Sequence, residues 1–308
     1  MLTDFMSIDT NGAWHLLYPL FSSMVFVVGA LFAKESSVRG ANPYTNVVAS
    51  NLCLAFFWVV FGGTQGCFLP VHEWGPAAAI GATFVIGQVF TYLAFQYGDV
   101  SLATPVLGVK IILVAIISSL LAETPVAPRI WGTAVLASLA VGIVQAGGGN
   151  SSREKMSSRQ AALTVAMALT SALAFSCFDV GLQVYCRRYG MEGFLSTMFV
   201  FMGGFSCLLL PWADRPSRLH RMKASGPLVL AAVLMAIQAV SLSYALGRYG
   251  DVTRVNIIYA LRGLWSVVIA WVLGRMAISP EGWHSNRTMW FRLTGAVLLL
   301  ICVVVALS

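Results

Sequence analysis

The stretch Tyr92-Leu-Ala-Phe-Gln-Tyr-Gly-Asp-Val-Ser101 has a second version, Tyr244-Ala-Leu-Gly-Arg-Tyr-Gly-Asp-Val-Thr253, which begins 152 residues later. Carried forward, the same offset pairs Lys110 with Arg262, and each lies near the middle of an apolar segment. A cation in a hydrocarbon layer costs at least about 2.5 to 3.5 kcal/mol, so it is found facing a cavity or a partner. Two cations at equivalent points therefore indicate one shared cavity that attracts anions.

The composition is that of a membrane protein. Of the 308 residues, 58% are hydrophobic and 10% are charged, against about 25% charged in a typical soluble domain. Apolar runs of about 17 to 25 residues match the thickness of the hydrocarbon core, and the sequence predicts ten of them, numbered here as spans 1 to 10. They run from Trp14 to Ala33, over 44–63, 74–97, 101–121, 130–147, 160–185, 193–212, 226–249 and 252–274, and from Trp290 to Leu307.

The predicted fold class is an all-α integral membrane protein. Isolated strands cannot satisfy their backbone polar groups in lipid, and the ten-residue alternation of a barrel is absent. The first twelve residues contain Asp4 and Asp9 but no Lys or Arg, so they lack the basic region of a signal peptide. Span 1 is expected to stay in a multi-pass protein of the cell (inner) membrane.

The chain is predicted to be a tandem duplication. A polar linker, residues 148–159, separates a first set of five spans in 1–147 from a second set in 160–308. Because five is odd, the second set must enter the membrane in the opposite orientation. Inverted repeats of this kind are typical of secondary transporters, which bind substrate near the midplane between the repeats.

The remaining polar residues exclude several classes of protein. The net charge of +7 is scattered over short loops without a nucleic-acid-binding module, so no nucleic acid is expected as a partner.

Twelve of the 19 basic residues lie in loops that follow the odd-numbered spans, and the positive-inside rule then places both termini outside the cytoplasm. The six cysteines are interpreted as packing residues, and the four histidines lack metal-ligand spacing. No metal or other cofactor is expected.

Gly98-Asp99 and Gly250-Asp251 make tight links between spans 3 and 4 and between spans 8 and 9. Glycine permits the backbone that such a link needs, and an aspartate can cap the next helix through its side-chain oxygen. We expect Asp99 and Asp251 to be caps, with a gate contact as the alternative.

Ten spans, the inverted duplication, the Tyr-x-x-x-x-Tyr approach to the link after span 3, and Glu123 closing span 4 together resemble the drug/metabolite transporter superfamily, particularly its EamA-like members. The resemblance covers nearly the whole chain. It implies a cavity between the two halves, lined mainly by spans 1, 3, 4, 6, 8 and 9.

The chain departs from that family in three respects. EamA-like proteins often have a proline midway along span 4, where this chain has Lys110-Ile111. Small drug-extruding relatives use a glutamate within span 1, whereas Glu35 lies at its end. In most members of the family both termini lie in the cytoplasm, whereas the charge count here places them outside it. Lys110 and Arg262 instead look similar to the basic residues with which sugar-phosphate translocators of the same superfamily hold a phosphate.

Lys110 and Arg262 are the leading candidates for substrate binding. A lysine offers a compact charge and an arginine a planar fork for carboxylate or phosphate. Asp179 on span 6 is the carboxylate well inside a span, as a partner in an ion pair or as a coupling site. Three alternatives remain: anion binding, an internal ion-pair gate, and cations that reach out to the membrane surface.

Polar and aromatic side chains near these cations are further candidates. Gln88 and Tyr92 share a face of span 3, and Gln238 lies on span 8 with Tyr244, the counterpart of Tyr92. Tyr259 precedes Arg262 by one turn and could clamp the apolar part of a substrate. Ser176, Asp179 and Gln183 form one stripe of span 6, which is expected to face the cavity.

These features favour a secondary active transporter of a small organic anion or zwitterionic metabolite. No Walker-type phosphate loop is present, so the energy would come from a counter-substrate or an ion gradient. The alternative is a proton-linked exporter of amino acids or amphipathic metabolites, with Asp179 as the proton site. An intramembrane enzyme is disfavoured because Gly-x-Ser-x-Gly, His-Glu-x-x-His and paired intramembrane aspartates are absent, and a receptor gives no reason for symmetric cations.

Overall fold

The computed structural model describes residues 13–97, 103, 106–121, 127–146, 157–275 and 286–307. Within these ranges, all regular secondary structure is helical. The α-helices are α1 Leu17–Val38, α2 Pro43–Gln65, α3 Trp74–Tyr97, α4 Lys110–Leu121, α5 Pro128–Ala146, α6 Ser158–Tyr189, α7 Met191–Cys207, α8 Pro216–Arg221, α9 Ser225–Tyr249, α10 Val252–Tyr259, α11 Arg262–Arg275 and α12 Asn286–Leu307. Short 3-10 turns occupy Ala13–Leu16, Val71–Glu73 and Leu210–Trp212.

Several of these helices are long and apolar enough to cross a membrane. Among the described residues there are five, or six if one bent pair of helices counts as a single span. They are Trp14–Val38, Pro43–Gln65, Val71–Phe95, Ser158–Tyr189 and Ser225–Tyr249, with Met191–Cys207 and Leu210–Arg221 as the pair bent by 46°. The protein is therefore a multi-pass helical membrane protein.

Two of the apolar segments are interrupted near their middle. Predicted span 9 consists of α10 and α11, separated by a turn at Ala260 and Leu261. In predicted span 4, a turn at Gly108 and Val109 precedes α4. The two turns are again 152 residues apart, and the hydropathy pattern predicts neither of them. Each turn is followed directly by one of the two cations, so Lys110 and Arg262 are the first residues of α4 and α11.

The helices pack in a regular set of pairs. Helix α1 packs along α9, α3 along α6, α2 along α7, and α5 along α12. Helix α4 also contacts α6, while α10 and α11 both contact α1. The largest buried side chains, such as Phe194, Phe199 and Leu54, lie on α2 and α7. These contacts leave a space between the helices that carry the two cations.

Helices α3 and α7 approach closely at Gly81. A Cβ atom added there would lie 2.9 Å from the carbonyl oxygen of Met198, whereas one added at Gly63 on α2 would meet nothing within 4 Å. Small residues allow such close approach in lipid. We expect Gly81→Ala to lower the free energy of unfolding by about 1 to 3 kcal/mol, as overpacking does. Thermal unfolding in detergent, with Gly63→Ala as the control, measures this; equal melting temperatures would contradict the packing.

Candidate functional site

A cavity of about 600 Å³ lies between the helices and is lined mainly by residues of α1 to α4, α6 and α9 to α11. Its volume is within the range of pockets for small ligands, about 300 to 1,000 Å³. Seven of the predicted site residues lie in its wall: Gln88, Tyr92, Lys110, Asp179, Gln238, Tyr259 and Arg262. The cations from the two halves of the chain therefore face one space.

Lys110 is paired with the acid that the sequence offered as its partner. Its Nζ atom lies 2.7 Å from Oδ2 of Asp179 on α6 and 5.7 Å from the ring centre of Phe175. Asp179 is buried. A distance of 2.7 Å is that of a charge-assisted hydrogen bond. One of the two cations is thus neutralised internally.

Arg262 has different surroundings. Its guanidinium carbon lies 5.1 Å from the ring centre of Phe26 on α1 and 4.7 Å from that of Tyr259. Such positions over aromatic faces are favourable for a cation. No carboxylate among the described residues forms an ion pair with Arg262. Its charge therefore remains available to a ligand in the cavity.

The turns that precede α4 and α11 keep backbone hydrogen bonds. The N–H groups of Ile111 and Gly263 donate to the carbonyl oxygens of Gly108 and Ala260, so the peptide N–H groups at the start of both helices are partly engaged within each turn. Lys110 and Arg262 begin these helices and line the cavity. Each cation therefore lies at an interruption of its apolar segment.

The glutamines predicted to bind substrate, Gln88 and Gln238, each form hydrogen bonds with another side chain of the cavity wall. The amides of Asn51 and Gln88 exchange hydrogen bonds of 2.6 and 3.1 Å, and the Tyr259 hydroxyl donates to Gln238 Oε1 at 3.1 Å. Asn51 and Phe26 are among the lining residues that sequence reasoning missed. Neither lies in the repeated block, but Phe26 and Phe175 occupy similar places in spans 1 and 6, four residues after Ser22 and Ser171.

Tyr244 is not among the lining residues. Its ring centre lies 5.1 Å from that of Tyr18 and 6.2 Å from that of Tyr249, in a cluster where α1 begins and α9 ends.

Asp251 lies beside this aromatic cluster at the N-cap of α10, but its side chain makes no capping hydrogen bond, so the predicted cap is wrong. Its carboxylate lies 3.6 Å from His15 and 3.5 Å from Arg254. Asp99 lies outside the described residues, as does Glu123.

Ser176 and Gln183 lie outside the cavity wall and form hydrogen bonds to the backbone of neighbouring segments. The Ser176 hydroxyl donates to the carbonyl oxygen of Lys110 at 3.2 Å, and Gln183 Oε1 accepts from the Val252 N–H at 3.3 Å. Of the predicted stripe on span 6, only Asp179 lines the cavity. Ser176 and Gln183 instead hold the starts of α4 and α10 against α6.

No protein-family profile matches this chain, and no curated protein does. One solved structure, described only as "Crystal structure of protein", superposes with a TM-score of 0.62 at 18% identity. The match covers 94% of this chain and 97% of the other. At that identity the likeness concerns the fold alone.

The arrangement suits binding of an anion. One cation is paired with Asp179, and the other lines the cavity and lies over the rings of Phe26 and Tyr259. The rest of the wall is mostly apolar, with Phe84, Phe175 and Phe178 among its side chains. Such a site combines charge recognition with an apolar surface for the body of a ligand.

Proposed function

We propose that this protein is a secondary active transporter that carries a small organic anion or zwitterionic metabolite by alternating access. The observation that carries the proposal is the position of Lys110 and Arg262. Each begins a helix that follows an interruption of an apolar segment, and both face one cavity. Cations held inside a membrane domain commonly mark the pathway of a substrate or ion, which supports an anion as the transported compound.

The proposed architecture is ten spans arranged as two inverted five-helix repeats, residues 1–147 and 160–308. The pairs of packed helices support it. If spans 1 to 5 are exchanged with spans 6 to 10, the contact of α1 with α9 becomes that of α6 with α3, and the contact of α4 with α6 becomes that of α11 with α1. The pairs of α2 with α7 and of α5 with α12 exchange with themselves. We place the chain with the EamA-like drug/metabolite transporters, in the cell (inner) membrane.

A proton-linked exporter of amino acids or amphipathic metabolites is the second candidate. The 2.7 Å contact between Lys110 and Asp179 favours it, because protonation of the Asp179 carboxylate would release the lysine and change the charge of the cavity.

Uptake into proteoliposomes tests these proposals. The purified protein is reconstituted and supplied with radiolabelled carboxylates, sugar phosphates and amino acids, with empty liposomes as the control. We expect saturable uptake of at least one anion, accelerated by the same anion trapped inside. Acceleration by a pH gradient alone would favour the proton-linked exporter. Absence of uptake and of binding for every compound would contradict a transport function.

A further inference from the structure

The two cations have matching surroundings that differ by one carboxylate. On α6, Phe175 and Asp179 are four residues apart, and both contact Lys110. On α1, Phe26 contacts Arg262 in the same manner, and the residue four positions later is Ala30. Both Ala30 and Asp179 line the cavity. By sequence position, Ala30 on α1 is therefore the counterpart of Asp179 on α6.

This difference determines the net charge of the described cavity wall. The charged groups among the described lining residues are Lys110, Asp179 and Arg262. The Lys110–Asp179 pair sums to zero whether the shared proton lies on nitrogen or on oxygen. An arginine stays protonated in proteins, so the described wall carries a single net positive charge. The neutral polar groups Gln88 and Gln238 are already engaged by Asn51 and Tyr259.

We propose that the ligand of this cavity is a monocarboxylate with an apolar body, whose carboxylate binds Arg262 while Lys110 and Asp179 stay paired. The inference rests on the proposed transport function and narrows its substrate class. A monoanion makes the site neutral. A dianion would leave one negative charge buried without a partner, which is strongly unfavourable in an apolar environment.

A zwitterion is disfavoured for a related reason. It carries no net charge and would leave the positive charge of the described wall uncompensated. The amide oxygen of Asn46, which has no hydrogen-bond partner among the described residues, is a neutral acceptor for its ammonium group, but the only carboxylate among the described lining residues is Asp179. That carboxylate already lies 2.7 Å from the Lys110 ammonium. The apolar body, in contrast, finds phenylalanine rings on several sides, including Phe26 and Phe175.

Two matched series of compounds test the charge preference on the wild-type protein. The first is 3-phenylpropionate, phenylsuccinate and phenylalanine; the second is hexanoate, adipate and norleucine. Binding is measured by isothermal titration calorimetry in detergent at about pH 8, where every carboxylate is ionised. We expect the monocarboxylate of at least one series to bind about tenfold or more tightly than its dicarboxylate and its amino acid, a difference that such titrations resolve easily.

A pair of variants tests the place of binding. Ala30→Asp supplies the missing carboxylate beside Arg262, while Ala30→Asn has nearly the same shape without the charge. We expect the aspartate variant to bind the monocarboxylate about tenfold or more weakly than the asparagine variant, which differs from it only in charge. Thermal unfolding of both variants shows whether they are folded.

The possible results separate this inference from the transport function. Equal or tighter binding of a dicarboxylate, a sugar phosphate or an amino acid would overturn the monocarboxylate assignment and leave transport standing. An unchanged affinity in folded Ala30→Asp would overturn the assignment to Arg262. If no anion of either series or of the transport panel binds, the proposed function itself fails.

Discussion

Arg262→Gln is expected to lower the affinity of the cavity for its anion by about 30-fold or more. Removing one member of a buried, hydrogen-bonded pair of charges costs about 2 to 5 kcal/mol, and each 1.4 kcal/mol is about a factor of ten. The effect on folding should be small, because no described carboxylate depends on Arg262 for its partner. Titration of the purified variant with the best monocarboxylate measures the first effect, and thermal unfolding the second.

Arg262→Lys is the matched control for this variant. Lysine keeps the charge, but it lacks the planar fork that binds a carboxylate through two hydrogen bonds and stacks on aromatic rings. Because Arg262 lies over the rings of Phe26 and Tyr259, we expect an affinity between those of the wild type and the glutamine variant. If the glutamine variant binds as tightly as the wild type, the anion does not bind at Arg262.

The class of the protein could be predicted from composition because the energy of burying apolar segments in lipid depends on little besides their length and charge. The interruptions at Gly108–Val109 and Ala260–Leu261 could not. The residues there are as apolar as those of a continuous span, so hydropathy does not indicate the turns. Only Gly108 gives a local signal, since glycine weakens a helix.

The sequence predicts that Lys110 and Arg262 face one cavity. Equivalent positions in two repeats lie at equivalent depths in the membrane, and exposing a cation to lipid is costly. The position of Tyr244 does not follow from this reasoning. The offset makes Tyr92 and Tyr244 equivalent in sequence, yet Tyr92 lines the cavity while Tyr244 packs against Tyr18 and Tyr249. If the protein works by alternating access as we propose, one conformation is closed at one end and open at the other, and sequence symmetry does not show which end is closed.

Asp179→Ala is expected to give the largest loss of stability in this protein. The substitution leaves the Lys110 ammonium, whose side chain is only 14% exposed, without its partner, and breaking a buried ion pair typically costs about 3 to 5 kcal/mol. Lys110→Met should be destabilising for the converse reason, since Asp179 is buried. Thermal unfolding in detergent measures both, and wild-type melting temperatures for both variants would show that the pair contributes nothing to folding.

The double variant Lys110→Met with Asp179→Leu separates a structural role of this pair from a role in ligand binding. Replacing a buried ion pair by apolar residues of similar volume is often neutral or stabilising, so the double variant should recover much of the stability that each single variant loses. If the pair only cancels its own charge, Arg262 still gives the site one net positive charge, and monocarboxylate affinity should change by less than about threefold. A much larger loss in a folded double variant would mean that Lys110 itself binds the anion. If affinity is kept but acceleration by a pH gradient disappears, Asp179 is the residue that couples transport to protons.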